Sequence, residues 1–231
     1  MLVDGPGARL GVNGSINPGA ATVVANGTVS GTGSLGPVVT SAATTSARVA
    51  PGNSIGILTV NGTATTPGLD LSSGSGAVLS IEVGKTIAGN TLLGPGVDYD
   101  QIVVAGHTGT LNGIVLGFAA ALEVAVPTGR FVDVGDLFFI AVNVANEEPV
   151  SGTFAALAAG ATLLAGDGTP FIVTYRADWE GTQTASRSAG GNDVALIAVP
   201  EPSAALFGLA GAGWLIARRR RRTADELPLA W

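Results

Sequence analysis

Cysteine is absent from all 231 residues. That absence removes disulfides, iron–sulfur clusters, thiolate metal sites and cysteine nucleophiles together. Histidine occurs once, as His107 within Ala105-Gly106-His107-Thr108-Gly109. A single imidazole cannot build a multi-histidine metal centre, and no local serine signature accompanies it for Ser-His-Asp chemistry. Catalytic residues, metal ligands and cofactors are therefore all expected to be none. Lysine and methionine are also single, and aromatics make up 5% of the chain. The opening Met1-Leu2-Val3-Asp4-Gly5-Pro6 has neither a basic n-region nor an apolar h-region, so it is no signal peptide. It reads like the middle of a repeat, which implies a signal peptide and further repeats upstream.

What fills the chain instead is glycine, 35 residues of it, with abundant Ala, Val, Thr and Ser. Such a composition favours many short strands joined by tight turns. Of the 17 acidic and 11 basic side chains, three and five lie beyond Pro200. The remaining 14 against 6 give the body about −8 and the tail about +2. An acidic body argues against DNA or anionic lipid as its ligand, and no nucleic acid is expected as a partner.

Internal repetition is visible early. Ser15-Ile16-Asn17-Pro18-Gly19 followed by Val23-Val24-Ala25-Asn26-Gly27-Thr28 echoes Arg48-Val49-Ala50-Pro51-Gly52 followed by Leu58-Thr59-Val60-Asn61-Gly62-Thr63. In each copy Pro-Gly makes a turn, a short β-forming run makes a strand, and Asn-Gly makes the next turn. Short strands between small turn residues suit the stacked rungs of a solenoid. From Gly76 the strands lengthen, with candidates at 77–83, 101–104, 110–116, 120–126, 137–144, 171–175 and 193–198. They predict either a continued solenoid or a β-sandwich closing its end. The alanine-rich stretch 155–164 is interrupted by Gly160 and reads as loop.

A few side chains invite chemical readings. Asp98 with Asp100, and Asp133 with Asp136, could serve as paired carboxylates of a glycosidase or lyase, although turn aspartates bonding their own backbone are commoner. Gly190-Gly191-Asn192-Asp193-Val194 is half of a calcium-binding nonapeptide, but one copy cannot stack a calcium ladder. The three Asn-Gly-Ser/Thr sequons, at Asn13, Asn26 and Asn61, read better as turns. Trp179 and Tyr175 are the aromatics that could stack on a sugar ring.

The tail carries the clearest signal. Pro200 and Pro202 disfavour helix before them, and Ser203 is a suitable N-cap, so one hydrophobic helix is expected from there to the arginines. Residues 204–217 hold no charge. Fifteen helical residues would reach roughly 22 Å, short of the roughly 30 Å hydrocarbon core of a bilayer. Snorkelling arginines and Trp214 at the interface would make up the difference. Ala204, Gly208 and Ala212 would form one small-residue face.

Val199-Pro200-Glu201-Pro202-Ser203, the apolar Ala204, Leu206, Phe207, Gly208, Leu209, Gly211, Trp214, Leu215 and Ile216, and the basic stop Arg218, Arg219, Arg220, Arg221 and Arg222 together resemble the PEP-CTERM sorting signal of Gram-negative bacteria. The resemblance implies export, transient anchoring in the inner membrane through residues 203–217 with the C-terminus cytoplasmic, and recognition by an exosortase-type membrane transpeptidase. Release to the cell surface or extracellular matrix would follow, with exopolysaccharide as a further partner. One departure is that nine residues, Thr223 to Trp231, continue past the basic cluster, where such tails usually stop. Separately, Ser30-Gly31-Thr32-Gly33-Ser34-Leu35 and the run from Val49 to Gly62 are similar to the autotransporter-associated β-strand repeat, which implies a right-handed parallel β-helix. The expected fold class is thus all-β. A β-solenoid occupies 1–75, a β-rich closing region 76–198, the sorting and anchor segment 199–222, and a polar extension 223–231. The function implied is a structural surface or matrix protein without catalysis, the alternatives being an adhesin or carbohydrate-binding module and a polysaccharide-active enzyme.

Overall fold

Short runs such as Thr22-Val23-Val24 and Arg48-Val49-Ala50 alternate in burial, so each presents one face inward and one outward. A computed structural model describes residues 1–17, 19–106 and 110–200. The chain divides into two compact units, Met1–Ala198 and Val199–Trp231, and only Val199 and Pro200 of the second belong to the described residues. The first rungs consist of β1 (Leu2–Val3), β2 (Arg9–Gly11), β3 (Thr22–Val24), β4 (Thr28–Gly31), β5 (Ser34–Leu35) and β6 (Val38–Thr40). They continue through β7 (Arg48–Pro51), β8 (Ile57–Asn61), β9 (Leu69–Leu71), β10 (Val78–Glu82), β11 (Gln101–Ala105) and β12 (Ile114–Leu116). The last are β13 (Ala121–Ala125), β14 (Leu137–Asn143), β15 (Thr162–Leu164), β16 (Pro170–Ala177) and β17 (Asp193–Ala198).

Three sheets result. The first runs β1-β3-β6-β9-β12, the second β13-β10-β7-β4-β2, and the third β15-β16-β17-β14-β11-β8-β5. From β3 to β14 every third strand joins the same sheet, and all pairs up to β14 are parallel. The interior is built from in-register aliphatic ladders. In the second sheet Leu10, Val29, Val49, Leu79 and Leu122 stack in succession. In the third, Leu35, Val60 and Val104 do the same. Full burial of each Val or Leu contributes about 1.5–3 kcal/mol, so the ladders are the main source of stability.

The corners are tight. Gly31 has φ +115°, and an added methyl there would run into the Val12 carbonyl. At Gly76 the obstacle would be the Thr45 carbonyl. The three sequon asparagines tie neighbouring rungs together. Asn61 Nδ2 donates to Ser34 Oγ and the Leu35 carbonyl, both at 2.8 Å. Asn26 donates to Asp4 and accepts from Thr45, and Asn13 accepts from Asn53.

The expected fold class needs correction. The third sheet opens into antiparallel β17, β16 and β15, which have no counterparts in the other two sheets, so the chain does not form a closed solenoid with a separate closing domain. The boundary drawn at residues 75 and 76 falls between β9 and β10, where parallel pairing continues unbroken on both sides. What stands is an all-β body of three mostly parallel sheets. No helix occurs among the described residues, and none there is long and apolar enough to cross a membrane. The hydrophobic helix expected over residues 204–217 lies outside the described residues. The two sequence copies are also not neighbouring rungs: Thr22–Val24 belongs to the first sheet and Ile57–Asn61 to the third. Val23 pairs with Val39 instead.

Candidate functional site

One outward row of the second sheet is made of small residues. Gly11, Ser30 and Ala50 lie in register across β2, β4 and β7, and Ser80 follows on β10. With few side chains rising from it, this face forms a hollow of about 390 Å³ bounded by Arg9 at one side and Asn53, Ser54, Glu82 and Asp100 at the other. A second hollow of about 390 Å³, lined by Glu123, Ala125, Leu164 and Gly166, shares Ser80 with the first. Together they make a shallow trough crossing the strands, polar toward Arg9 and Glu82 and more apolar toward Leu122 and Leu164, with Arg48 and Glu123 paired at 2.6 Å on the same sheet.

Asp100 forms the buried part of the wall. Its Oδ1 accepts the Gly56 N–H at 2.8 Å and its Oδ2 the Glu82 N–H at 2.7 Å, joining the second sheet to the third. Burial pushes its carboxyl up to about 8, against the pull of those two N–H groups, so it is largely protonated at neutral pH. Glu82 Oε2 accepts from Ser54 Oγ at 3.3 Å at the groove's rim. The trough thus offers hydroxyl, carboxyl, amide and guanidinium groups without an aromatic platform.

The carboxylate pairs expected from sequence are not paired for catalysis. Asp98 and Asp100 turn to different partners: Asp98 Oδ2 accepts the Leu93 N–H at 2.6 Å, and its Oδ1 lies 4.0 Å from Arg130. Asp133 and Asp136 both hold the buried Lys85 ammonium, at 2.6 and 2.9 Å. Burial pulls the Lys85 pKa down, and its hydrogen bonds to Asp133 and Asp136 more than reverse that, leaving it above the ordinary value. The Lys85 hydrogen bond, with the Gly89 N–H, holds Asp133 below its usual range.

Other expected residues also serve the fold. Asp193 is buried and accepts the Asn143 and Trp179 N–H groups, and burial pushes its carboxyl up to about 6. Asn192 donates to the Asn146 carbonyl at 2.6 Å, which ties down the half-nonapeptide. Trp179 packs against Phe139 at 5.0 Å between ring centroids, and the Tyr175 hydroxyl bridges Phe154 N–H and the Leu157 carbonyl. Tyr175 is buried, and Trp179 is half-buried with Phe139 on one side. Among the described residues no group of three His, Cys, Asp or Glu side chains could hold a metal ion.

Of the sorting residues, Val199 is half-buried and Pro200 exposed, just past β17. Glu201, Pro202, Ser203, the apolar residues through Ile216, Arg218 to Arg222, and His107 lie outside the described residues. Sequence reading missed the Ser30–Ser80 face. Its only signal was one small outward residue, Gly11, Ser30 or Ala50, on each of three strands that lie side by side in the sheet.

No known protein family matches this chain, and no curated protein matches it.

Proposed function

We propose that the chain is an exported surface or extracellular-matrix protein without catalytic activity, delivered through an exosortase-type transpeptidase. The observation supporting this division of labour is that the compact body ends at Ala198, one residue before the Val-Pro-Glu-Pro-Ser run begins. In this reading the body is cargo and residues 199–222 are its address: the uncharged run would enter the inner membrane and the arginines would stop on the cytoplasmic side. The body then acts by presenting a rigid, acidic, hydroxyl-rich surface. The test is the intact mass of the protein recovered from its native host with and without the exosortase. Loss of the residues beyond about Pro202 only when the enzyme is present is the expected result. Retention of 204–217 in both strains overturns the reading.

A second reading, a carbohydrate-binding module, is favoured by one specific feature, the two hollows that share Ser80 and cross several strands. An extended polyhydroxylated chain such as exopolysaccharide fits a trough lined by Arg9, Ser30, Ser80 and Glu82. Ser80→Trp would fill the shared point from the solvent side and abolish retention on immobilised exopolysaccharide while leaving the fold intact. Equal retention of the variant refutes this second reading.

A further inference from the structure

Of the eleven exposed large apolar side chains among the described residues, five stand on two loops that are bonded to each other, while Phe118, the most exposed at 92%, stands apart from them between β12 and β13. Between β10 and β11 stand Ile87, Leu93 and Val97, exposed by 58%, 74% and 49%. Between β13 and β14 stand Phe131 and Val134, at 45% and 66%. Polar residues ordinarily occupy such loops, and concentrated apolar exposure marks a surface that meets another apolar phase.

The two loops are fastened into one platform. Lys85 and Phe131 exchange backbone hydrogen bonds at 2.8 and 2.9 Å. Beneath them Lys85 bridges Asp133 and Asp136, and the Gly89 N–H binds Asp133. Arg130 donates to the Gly84 and Val97 carbonyls at 3.0 and 2.9 Å. The platform's ionic groups are thus satisfied internally, and its apolar side chains are held outward without a net cationic or strongly anionic field.

The chain leaves the body at this same place. Gly135 N–H donates to the Ala198 carbonyl and Ala198 N–H to the Asp136 carbonyl, each at 2.9 Å. The last residue of β17 is therefore stitched to the loop that carries Phe131 and Val134. Only residues 199–203 separate Ala198 from the uncharged run, and five residues span at most about 18 Å.

We propose that Ile87, Leu93, Val97, Phe131 and Val134 form a membrane-resting platform, which contacts a zwitterionic phospholipid surface while the chain is anchored. This rests on the reading of residues 203–217 as membrane-directed. Apolar side chains of an interfacial element settle about 5–10 Å into the headgroup boundary, and the acidic body disfavours an anionic surface. The contact fixes the body's orientation over the bilayer and holds the Pro200 region close to it.

The absence of native cysteine makes the test direct. Full-length protein carrying Leu93→Cys is labelled with an environment-sensitive fluorophore and mixed with phosphatidylcholine vesicles. Ser75→Cys, exposed on the turn between β9 and β10, serves as reference. The expected result is co-flotation of both proteins, with blue-shifted emission and quenching by headgroup-level lipid quenchers at residue 93 alone. Combining Phe131→Ser and Val134→Ser with the label should abolish that shift while flotation persists. Flotation with residue 93 remaining as aqueous as residue 75 overturns the platform and leaves the anchor reading intact. Failure to float overturns both. A shift at residue 93 that depends on protein concentration without vesicles overturns the lipid assignment in favour of a second copy.

Discussion

Asp100→Asn should change the shape of the stability curve with pH, and not merely its height. In the folded protein burial raises the Asp100 carboxyl to about 8, from an unfolded value near 3.8. A raised pKa means that the folded state binds the proton more tightly. The associated stability is fully present below the unfolded value and is lost as pH rises through about 8. At about 1.36 kcal/mol for each tenfold change in proton affinity, the rise from near 3.8 to about 8 sets an upper bound of about 6 kcal/mol on the loss. Asparagine does not titrate, but its amide nitrogen must replace one acceptor, leaving the N–H of Gly56 or Glu82 unpaired in a buried site. That costs about 1–3 kcal/mol at every pH. The variant should therefore be less stable than the parent at about pH 4, cross it between about pH 4.5 and 6, and exceed it from about neutrality to about pH 9. Urea midpoints of both proteins, measured in parallel across that range, read the difference directly. Asp193, raised by burial to about 6, titrates in both and cancels. Parallel curves, or a deficit that widens with pH, would refute the argument that Asp100 is held protonated by its burial.

Two further substitutions test the framework. Lys85→Met leaves the mostly buried Asp136 without its cation and should cost about 3 kcal/mol in chemical denaturation; a loss under about 0.5 kcal/mol would show that the ion network contributes nothing net. Gly31→Ala places a methyl against the Val12 carbonyl at φ +115° and should cost more than about 2 kcal/mol, whereas Gly14→Ala, facing open space, should stay within about 0.5 kcal/mol. Equal thermal midpoints for that pair would contradict the close approach of the first rungs.

Strand positions were legible because two-residue alternation and Gly or Asn punctuation survive in the sequence. Each of the seven longer segments expected after residue 76 overlaps a strand. Sheet membership was not legible. The spacing between paired strands grows along the chain, from Val23 with Val39, to Val38 with Leu69, to Leu69 with Ile114, so no fixed offset marks neighbours. The Pro-Gly and Asn-Gly copies matched because similar corners recur in every sheet. β15 lies at the end of the alanine-rich stretch 155–164 read as loop, and it escaped because its three residues are set by antiparallel pairing with β16 and not by any local pattern. The acid pairs misled for a related reason: spacing along the chain says nothing about which group each carboxylate faces. A better cue to Asp133 and Asp136 was the single lysine in an acidic chain, since a lone ammonium buried at Lys85 must find counter-charge.

The aromatic residues explain why the parallel stack ends where it does. None occurs before Tyr99. In residues 1–98 three sheets face one another, and in-register Val, Leu and Ile ladders fill a narrow interior that repeats from rung to rung. Beyond β14 only the third sheet adds strands, through β17, β16 and β15, while the first sheet gains a single parallel bridge between Val115 and Ser151, so most of the space beside them is taken by larger side chains. Tyr99 meets Phe138 at 5.5 Å, Phe138 meets Phe171 at 6.0 Å, and Phe154 meets Tyr175 at 6.2 Å. The first two are edge-on and the third tilted, and ring contacts of such varied geometry suit an irregular volume that no aliphatic ladder could match. Such a packed end offers no template for another parallel rung. The stack therefore has one end sealed by its own chain, and β17, the strand that completes the seal, delivers Ala198 to the loop carrying Phe131 and Val134 before the Val-Pro-Glu-Pro-Ser run begins.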